Sequence, residues 1–333
     1  MKEIGKQTTG EESTFLDQFA SQFSRINQEL GKVLDTKVSL IEEVGSYSLL
    51  GGGKRLRPLF FILSCQLCNY HESDMYPLST VFECIHAASL LHDDVLDNAS
   101  FRRGRSSVNK IWGNSAAVLV GDFLFTKSSR IAVEKKQFEL LKVLVDTAVV
   151  MTEGQILELD NSYNWNMTRR EYMGIITSKT AALISAACAS GGIVAGAKQA
   201  MIQSLRSFGL NMGIAFQIVD DVLDYTDPVR KSGKQIGNDL RGGKVTLPLI
   251  YTLTYLDEGE RDRLEHLFKN RKASERDYLR IRELVQDNGA INKCRKDAQY
   301  YVDLAETDLR LFPDSPIKDS LLKLNQFIVD RNY

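Results

Sequence analysis

Apolar residues recur every three or four positions along nearly the whole chain, which is the spacing of one face of an α-helix. The segment from Phe15 to Leu30 shows this period clearly, with Phe19, Phe23 and Ile26 between its ends. Sustained alternation of apolar and polar residues, the pattern of a half-buried strand, does not occur. The pattern therefore predicts an all-α protein.

The chain shows no internal repeat and no Pro/Ser-rich linker, and its 333 residues with 43% hydrophobic content can bury one large core. We therefore predict a single domain over residues 1–333, a large helical bundle with a charge-rich C-terminal part packed on its side, and a flexible segment 1–12. Segment 180–197 is uncharged and long enough to cross a membrane, but it is mostly Ala, Gly and Ser. We expect a buried helix there, and no transmembrane segment.

Charge and cysteine content narrow the function. The 42 basic and 43 acidic residues nearly cancel, which argues against a nucleic-acid-binding protein, since these carry a strongly basic face. The five cysteines are an odd number without a secretory signal, which indicates a reducing compartment and predicts a cytoplasmic location. Cys65 and Cys68 form the pair CQLC, which we assign to core packing because no second ligand pair accompanies it.

The pentapeptide DDVLD occurs twice, beginning at Asp93 and at Asp220, each time after an apolar run. On a helix, residues four positions apart lie on one face, so the first and last aspartates of each motif project together. Carboxylates this close repel one another unless a cation is present, and oxygen ligands shared with substrate phosphates are the usual way of holding Mg²⁺. The candidate metal ligands are Asp93, Asp94, Asp97, Asp220, Asp221 and Asp224.

Basic segments alternate with the two acidic motifs. They are GGGKRLRP before the first motif, FRRGR just after it, SKT in the middle of the chain, and a glycine-rich stretch from 227 to 248 that we interpret as a mobile basic flap. Guanidinium groups suit bidentate phosphate recognition. Together with two acid clusters, these segments predict a site for more than one diphosphate.

The order of these motifs resembles that of the trans-isoprenyl diphosphate synthase (polyprenyl synthetase) family. The resemblance rests on GGGKRLRP, DDVLD followed by FRRG, FQIVDDVLD and GKQIGNDL, and it runs from about residue 45 to the C-terminus. The segments LVGDFLFTKSS and TEGQILELDN look closest to long-chain, octaprenyl-type members. The resemblance implies the helical bundle of isoprenoid synthases around a central cavity, a homodimer, and an enzyme that uses two or three Mg²⁺ ions.

The resemblance also implies roles for individual residues. An allylic diphosphate, farnesyl or geranyl, would bind with Mg²⁺ at the six aspartates, its C–O bond would ionise, and the double bond of isopentenyl diphosphate would attack the resulting cation. The catalytic set would be Asp93, Asp97, Asp220, Lys179 and Arg102. The allylic diphosphate would contact Arg102, Lys179, Thr180, Gln217, Lys234 and Lys244, and isopentenyl diphosphate would contact Lys54, Arg57, His86 and Arg103.

Product length depends on the residues one helical turn before the first motif, Ala88 and Ser89, which are both small. An aromatic side chain there would close the tail pocket after a short product. From Asp93 back to Pro77, a helix rises roughly 24 Å, which supports about twenty carbons or more, and only the resemblance suggests a product of about C40.

Three alternatives remain at this point. The first is a shorter-chain, geranylgeranyl-type synthase. The second is a non-catalytic subunit that binds prenyl diphosphates, although such a subunit should have lost acids from one motif. The third is a terpene cyclase, which typically replaces the second motif, intact here at Asp220. His92, beside the first motif, is predicted to be a helix-packing residue rather than a metal ligand.

Overall fold

The computed structural model describes residues 15–226 and 238–330, and this part of the chain is almost entirely helical, as the periodicity predicts. The predicted flexible segment 1–12 and the residues of the basic flap from 227 to 237, including Lys234, lie outside the described residues. The helices of the first half are α1 (Ala20–Val33), α2 (Ser39–Gly45), α3 (Leu56–Leu67), α4 (Met75–Leu96), α5 (Val108–Ile111), α6 (Asn114–Glu134) and α7 (Phe138–Asp160).

The second half continues the bundle and then adds a flank. The long helices α9 (Ala182–Val194) and α10 (Gln199–Thr226) pack against each other, and α15 (Ala290–Asp308) packs along α10. A single 3₁₀ turn, Leu309–Leu311, precedes the last helix. The helices are α8 (Arg169–Ile176), α9 (Ala182–Val194), α10 (Gln199–Thr226), α11 (Asn238–Arg241), α12 (Leu247–Leu253), α13 (Glu258–Lys269), α14 (Glu275–Asp287), α15 (Ala290–Asp308) and α16 (Pro316–Val329).

Helix α9 lies in the centre of the bundle, where it contacts α3, α7 and α10. Every residue from Leu183 to Gly192 is buried. Close approach depends on glycine at the contact points: a Cβ at Gly213 of α10 would lie 2.7 Å from the Cα of Ala181, which is shorter than van der Waals contact allows. The small residues that make this segment uncharged and membrane-like in composition therefore serve tight helix packing.

Among the described residues, one helical stretch, Arg169–Val194, is long and apolar enough to cross a membrane by length and composition, and most of it is buried inside the bundle. The charge-rich helices α13 and α14 bury only a few residues each, such as Phe268 and Val285, and they pack on the side of the bundle. This arrangement matches the expected solvated flank.

Two short antiparallel strands, β1 (Phe101–Arg102) and β2 (Arg105–Ser106), form a hairpin that the helical periodicity did not predict. Both central residues of its turn, Arg103 and Gly104, have positive φ, 52° and 72°. A two-residue hairpin of the type I′ class requires this conformation. The tetrapeptide RRGR thus forms a tight turn, and this short hairpin carries the three arginines Arg102, Arg103 and Arg105.

Two single turns of π-helix interrupt the bundle, at Ser46–Leu50 after α2 and at Thr177–Ala181 between α8 and α9. The extra residue in a π-turn changes the direction of the side chains that follow, and such turns are frequent at functional sites. Here the first lies just before the GGGKRLRP segment, and the second contains Lys179 and Thr180.

Candidate active site

Both aspartate motifs lie near the C-terminal ends of long helices. Asp97 is the C-cap residue of α4, and the second motif lies in the last two turns of α10, which ends at Thr226. The helix macrodipole places partial negative charge at this end, so that a carboxylate here is destabilised unless a cation is close. The positions of the two motifs therefore call for positive charge from the protein or from a ligand.

The middle aspartate of each motif is engaged by the protein itself. Asp94 is 3% exposed and accepts hydrogen bonds from Arg102 at 2.9 Å (Nε) and 2.5 Å (Nη2). Asp221 is also 3% exposed, and it accepts hydrogen bonds from the Tyr172 hydroxyl and the Gln217 amide, both at 2.7 Å. These two carboxylates therefore fix the local structure. All six aspartates stay the predicted metal ligands, and an outer one also has a protein donor, since Asp224 Oδ2 accepts a hydrogen bond from the Asp239 backbone N–H at 3.1 Å.

The same pairing changes the expected role of two other residues. Arg102 was predicted to contact the allylic diphosphate, and in this structure its guanidinium is bound to Asp94. Gln217, predicted in the same pocket, connects Asp221 to Thr180, whose hydroxyl donates to the Gln217 carbonyl at 2.9 Å. Both side chains are thus held by protein partners.

Lysines stand beside the outer aspartates of the first motif. Lys244 Nζ lies 3.2 Å from Asp97 Oδ2 and 3.6 Å from Glu158 Oε2, and Lys179 also forms an ion pair with Glu158. Burial raises the pKa of Asp93, whereas Lys179 and Lys244 act to lower it. Burial opposes the charge on Lys244, but the neighbouring carboxylates, Glu158 first, raise its pKa above the ordinary lysine value.

Lys179, Lys244 and Glu158 line one solvent-open cleft. Lys244 connects the two motifs, because it forms an ion pair with Asp97 of the first motif and lines the cleft together with Asp221 of the second. Gln217, which precedes the second motif, lines the cleft as well. The second motif lines this cleft through Asp221, and the first motif, more than a hundred residues away in sequence, is linked to it by the Lys244–Asp97 ion pair. Its polar lining residues are Glu158, Asn161, Tyr172, Lys179, Thr180, Gln217, Asp221, Asp239, Lys244 and Thr246.

The donor set fits a magnesium–diphosphate complex better than an all-protein metal cage. Among residues 15–226 and 238–330, no three Asp, Glu, His or Cys side chains are grouped closely enough to hold an ion alone. Mg²⁺ normally keeps several waters and is bound by one or two carboxylates together with substrate phosphates. Pairs of outer aspartates, Asp93 with Asp97 and Asp220 with Asp224, supply oxygen ligands of that kind.

A second basic cluster contains three of the four residues predicted for isopentenyl diphosphate: Arg57, His86 and Arg103. Burial lowers the pKa of Arg57, and the charge of Arg103 adds to this effect, while Glu83 and Asp220 oppose it. Within the part of the chain that the structure describes, the buried Nε of Arg57 has no hydrogen-bond partner. An unsatisfied guanidinium donor in a cluster of like charges indicates an anion site.

The other predicted residues take different positions. Lys54 Nζ lies 5.3 Å from the centre of the Phe327 ring on α16, so it faces the C-terminal helix in this structure. Arg241, at the end of the predicted basic flap, is anchored to Glu275 of α14 by hydrogen bonds of 2.8 and 2.6 Å. His92 contacts α6, with Nε2 3.2 Å from the Val118 carbonyl, as expected for a helix-packing residue.

Sequence reasoning missed three residues at the site: Glu158, which pairs with both lysines; Tyr172, which holds Asp221; and Glu83, the carboxylate in the arginine cluster. Glu158 occurs in the segment TEGQILELDN, which was noted only for its resemblance. An isolated acid in an apolar helical segment, such as Glu83 in TVFECIH, was the available signal.

Comparison with known proteins agrees with this geometry. The sequence model of the family described as Polyprenyl synthetase matches residues 38–285. The chain belongs to the polyprenyl synthetase family. The octaprenyl diphosphate synthase of Haemophilus influenzae is 36% identical to this synthetase over 313 residues, 93% of this chain and 94% of that protein. The geranylgeranyl diphosphate synthase of Saccharolobus solfataricus is 31% identical over 92% of this chain and 95% of that protein.

Solved structures confirm the predicted all-α isoprenoid synthase fold. A polyprenyl synthase from Caulobacter crescentus, complexed with calcium and isoprenyl diphosphate, matches this synthetase with a TM-score of 0.92 and 34% identity. The match covers 98% of this chain and 99% of that one. The protein is therefore a prenyltransferase, and the prediction of that class is confirmed.

The surroundings of His86 predict how the free energy of unfolding depends on pH. Its pKa is lowered well below the ordinary value, first by burial and then by the charges of Arg57, Arg103, Arg102 and Arg55. Above the unfolded pKa near 6.5, such a histidine is neutral in both states and does not change the free energy of unfolding. As the pH falls below that value, only the unfolded state takes up the proton, so the free energy of unfolding decreases by ~1.4 kcal/mol per pH unit until the folded pKa is reached.

His86→Gln should therefore lose less unfolding free energy than the wild type between about pH 7 and about pH 5, as measured by urea unfolding. The exposed His71 provides the control, because His71→Gln should follow the wild type. An identical acid response in His86→Gln and the wild type would contradict the lowered pKa of this half-buried imidazole.

Proposed function

We propose that this protein is a long-chain trans-polyprenyl diphosphate synthase, which extends an allylic diphosphate, farnesyl or geranyl, by successive units of isopentenyl diphosphate. The observation that carries the proposal is the presence of two anion sites of different chemistry. One is the cleft lined by Lys179, Lys244 and Asp221, with Asp97 paired to Lys244, and the other is the cluster of half-buried Arg57 and His86 with exposed Arg103. A condensation of two different diphosphates needs such a pair of sites.

In the acidic cleft, the residues of this chain orient and neutralise the allylic diphosphate. The outer aspartates would hold two or three Mg²⁺ ions, which supply Lewis-acid stabilisation of the departing diphosphate. Lys179 and Lys244, held near the cleft by Glu158, add positive charge where negative charge develops as the allylic C–O bond breaks. Asp94 and Asp221 keep the two motifs in place through Arg102 and Tyr172.

The arginine cluster would bind the second diphosphate without metal. Planar guanidinium groups donate pairs of hydrogen bonds to phosphate oxygens, and a neutral His86 can donate one more. Lys54 completes the proposed ligands of isopentenyl diphosphate, whereas Lys234 belongs to the set proposed for the allylic diphosphate. The double bond of isopentenyl diphosphate then attacks the allylic cation, and the new chain loses a proton.

Replacing an outer aspartate tests the acidic cleft. Asp93→Asn and Asp220→Asn should each lower the turnover of isopentenyl diphosphate with farnesyl diphosphate and Mg²⁺ by at least about 10²-fold, because transition-state charge loses its counter-ions. Radiolabel incorporation measures turnover, and circular dichroism should show unchanged helix content. Asp262→Asn on α13, an exposed position, is the matched control.

Retained activity in either aspartate variant would refute its proposed role. Inactivity of the wild type with every combination of allylic primer, isopentenyl diphosphate and Mg²⁺ would instead favour a non-catalytic subunit that binds prenyl diphosphates.

Product length depends on where the growing tail enters the bundle. Helix α4 is continuous from Met75 to Leu96, so the shaft below Asp93 has the length that the sequence predicted. Ala88 is buried and packs into the core, whereas Ser89 is only half-buried, and its hydroxyl donates to the His86 carbonyl at 2.9 Å. We propose that Ser89 is the first residue that limits how far the prenyl tail extends, and that the small side chain of Ala88 leaves space behind it.

Ser89→Phe should shorten the main product while leaving total turnover within about threefold, since an aromatic ring fills the space one helical turn below Asp93. Chromatography of the dephosphorylated product measures this directly. The same assay on the wild type decides between an octaprenyl-type and a geranylgeranyl-type product. An unchanged product in Ser89→Phe would mean that the tail follows another route.

We also propose that the protein acts in the cytoplasm as a single catalytic domain and as a homodimer. All five cysteines are free, which suits a reducing compartment.

Large apolar side chains are exposed along α7 at intervals of three, four or seven residues, so they form one stripe. A second copy of this chain would cover that stripe, which consists of Phe138, Val145, Val149, Ile156 and Leu159.

Val149 lies in the middle of the stripe and is 53% exposed, and Val149→Glu should convert a dimer to a monomer in analytical ultracentrifugation, since it buries a charge in an apolar interface. Val38→Glu is the matched control, because Val38 is 52% exposed and lies outside the stripe. Equal masses for Val149→Glu and the wild type would refute this interface.

A further inference from the structure

Arg55 is an arginine whose role neither the paired motifs nor the proposed chemistry uses. It is 6% exposed and has a left-handed backbone conformation, with φ of 49°. Its Nη1 lies 2.8 Å from Oε1 of Glu83, which is 4% exposed on α4. A buried ion pair costs desolvation energy, so its presence needs an explanation beyond simple stability.

The guanidinium of Arg55 connects four separate parts of the chain. Besides Glu83, it donates to the Leu49 carbonyl in the π-turn at 2.6 Å, to the Gly52 carbonyl in the glycine loop at 3.1 Å, and to Asn27 Oδ1 on α1 at 3.1 Å. Four hydrogen bonds from one side chain fix the loop 51–53 relative to α4. A lysine could not reach these acceptors together, because it lacks the planar fork.

The same loop holds Arg103. The Gly52 carbonyl accepts a hydrogen bond from Arg103 as well as from Arg55. A Cβ at Gly53 would lie 3.1 Å from Nη1 of each of these arginines, and the φ of Gly53 is +128°, which favours glycine. The glycine loop is thus packed between the two guanidinium groups.

Glu83 supplies the negative charge of this cluster. Burial lowers the pKa of both Arg57 and Arg103, and Glu83 is the strongest charge that opposes the effect at each. The carboxylates that act on Lys244 in the acidic cleft are different: Glu158, Asp239 and Asp97. Glu83 is therefore the strongest counter-charge in the arginine cluster, whereas Glu158 is the strongest counter-charge of Lys244 in the acidic cleft.

We propose that the Arg55–Glu83 pair is a positioning pair for the isopentenyl diphosphate subsite: it holds the loop 51–53, and through that loop Arg103, in the geometry that receives the diphosphate. The inference rests on the proposed function. Without Arg55, the loop would lose its anchor, and the unpaired Glu83 would attract Arg57 and Arg103 in competition with the diphosphate.

Steady-state kinetics with each substrate varied in turn test the pair. Arg55→Gln should raise the KM for isopentenyl diphosphate by roughly tenfold or more while the KM for farnesyl diphosphate changes less than about twofold. Adding Glu83→Gln to this variant should lower the KM for isopentenyl diphosphate again, because the competing anion is gone. A role in stability alone predicts no such recovery.

Arg130 provides the matched control, since it forms an exposed pair with Glu134 and Arg130→Gln should leave both KM values unchanged. Titration calorimetry with isopentenyl diphosphate in EDTA measures the subsite without turnover, and its Kd should rise in Arg55→Gln as the KM does. If Arg55→Gln loses helix content, Arg55→Lys replaces it, and its KM for isopentenyl diphosphate alone should rise.

The outcomes separate the two levels of inference. A wild type without magnesium-dependent condensation would refute the proposed function. An active wild type with equal changes in both KM values on replacing Arg55, or with no change in either, would refute the positioning pair while leaving the proposed function intact.

Discussion

Negative charge at the C-terminal ends of two largely buried helices is the constraint on which the rest of this structure depends. The aspartate motifs of α4 and α10 meet like charges, partial desolvation and the unfavourable end of the helix macrodipole. Positively charged side chains from other elements form ion pairs with the carboxylates of this region: Arg102 from the hairpin, Lys179 from a π-turn, and Lys244 from the segment before α12. In the function that we propose, a ligand that brings both metal and phosphate would complete this charge balance.

Two substrates that both carry a diphosphate must be told apart, and the structure supports a chemical solution. The cleft offers carboxylates and lysines, which suit a metal-bound diphosphate. The neighbouring cluster offers guanidinium groups and an imidazole whose pKa is lowered by burial and by the surrounding arginines. One buried carboxylate, Glu83, is the strongest counter-charge of this second cluster, and Asp220 and Asp94 of the two motifs add to it.

Rigid packing and local irregularity have separate places in the fold. Helices α9 and α10 approach closely at glycine and alanine, which leaves little freedom in the centre. The irregular elements, two π-turns and a type I′ hairpin, lie where Lys179, Arg103 and the glycine loop are positioned. These deviations aim side chains in directions that a regular helix would not allow.

The sequence by itself determined the helical class, the burial of segment 180–197 and the identity of the charged groups, because helical period and helix spacing are local properties. Only the tertiary structure shows that Asp94 and Asp221 accept hydrogen bonds from protein donors, Asp221 while lining the cleft, and that Lys54 lies near Phe327. It also decided that Glu158, Tyr172 and Glu83 belong to the site. Such pairings join residues far apart in the chain, and no local pattern encodes which buried donor a carboxylate will meet.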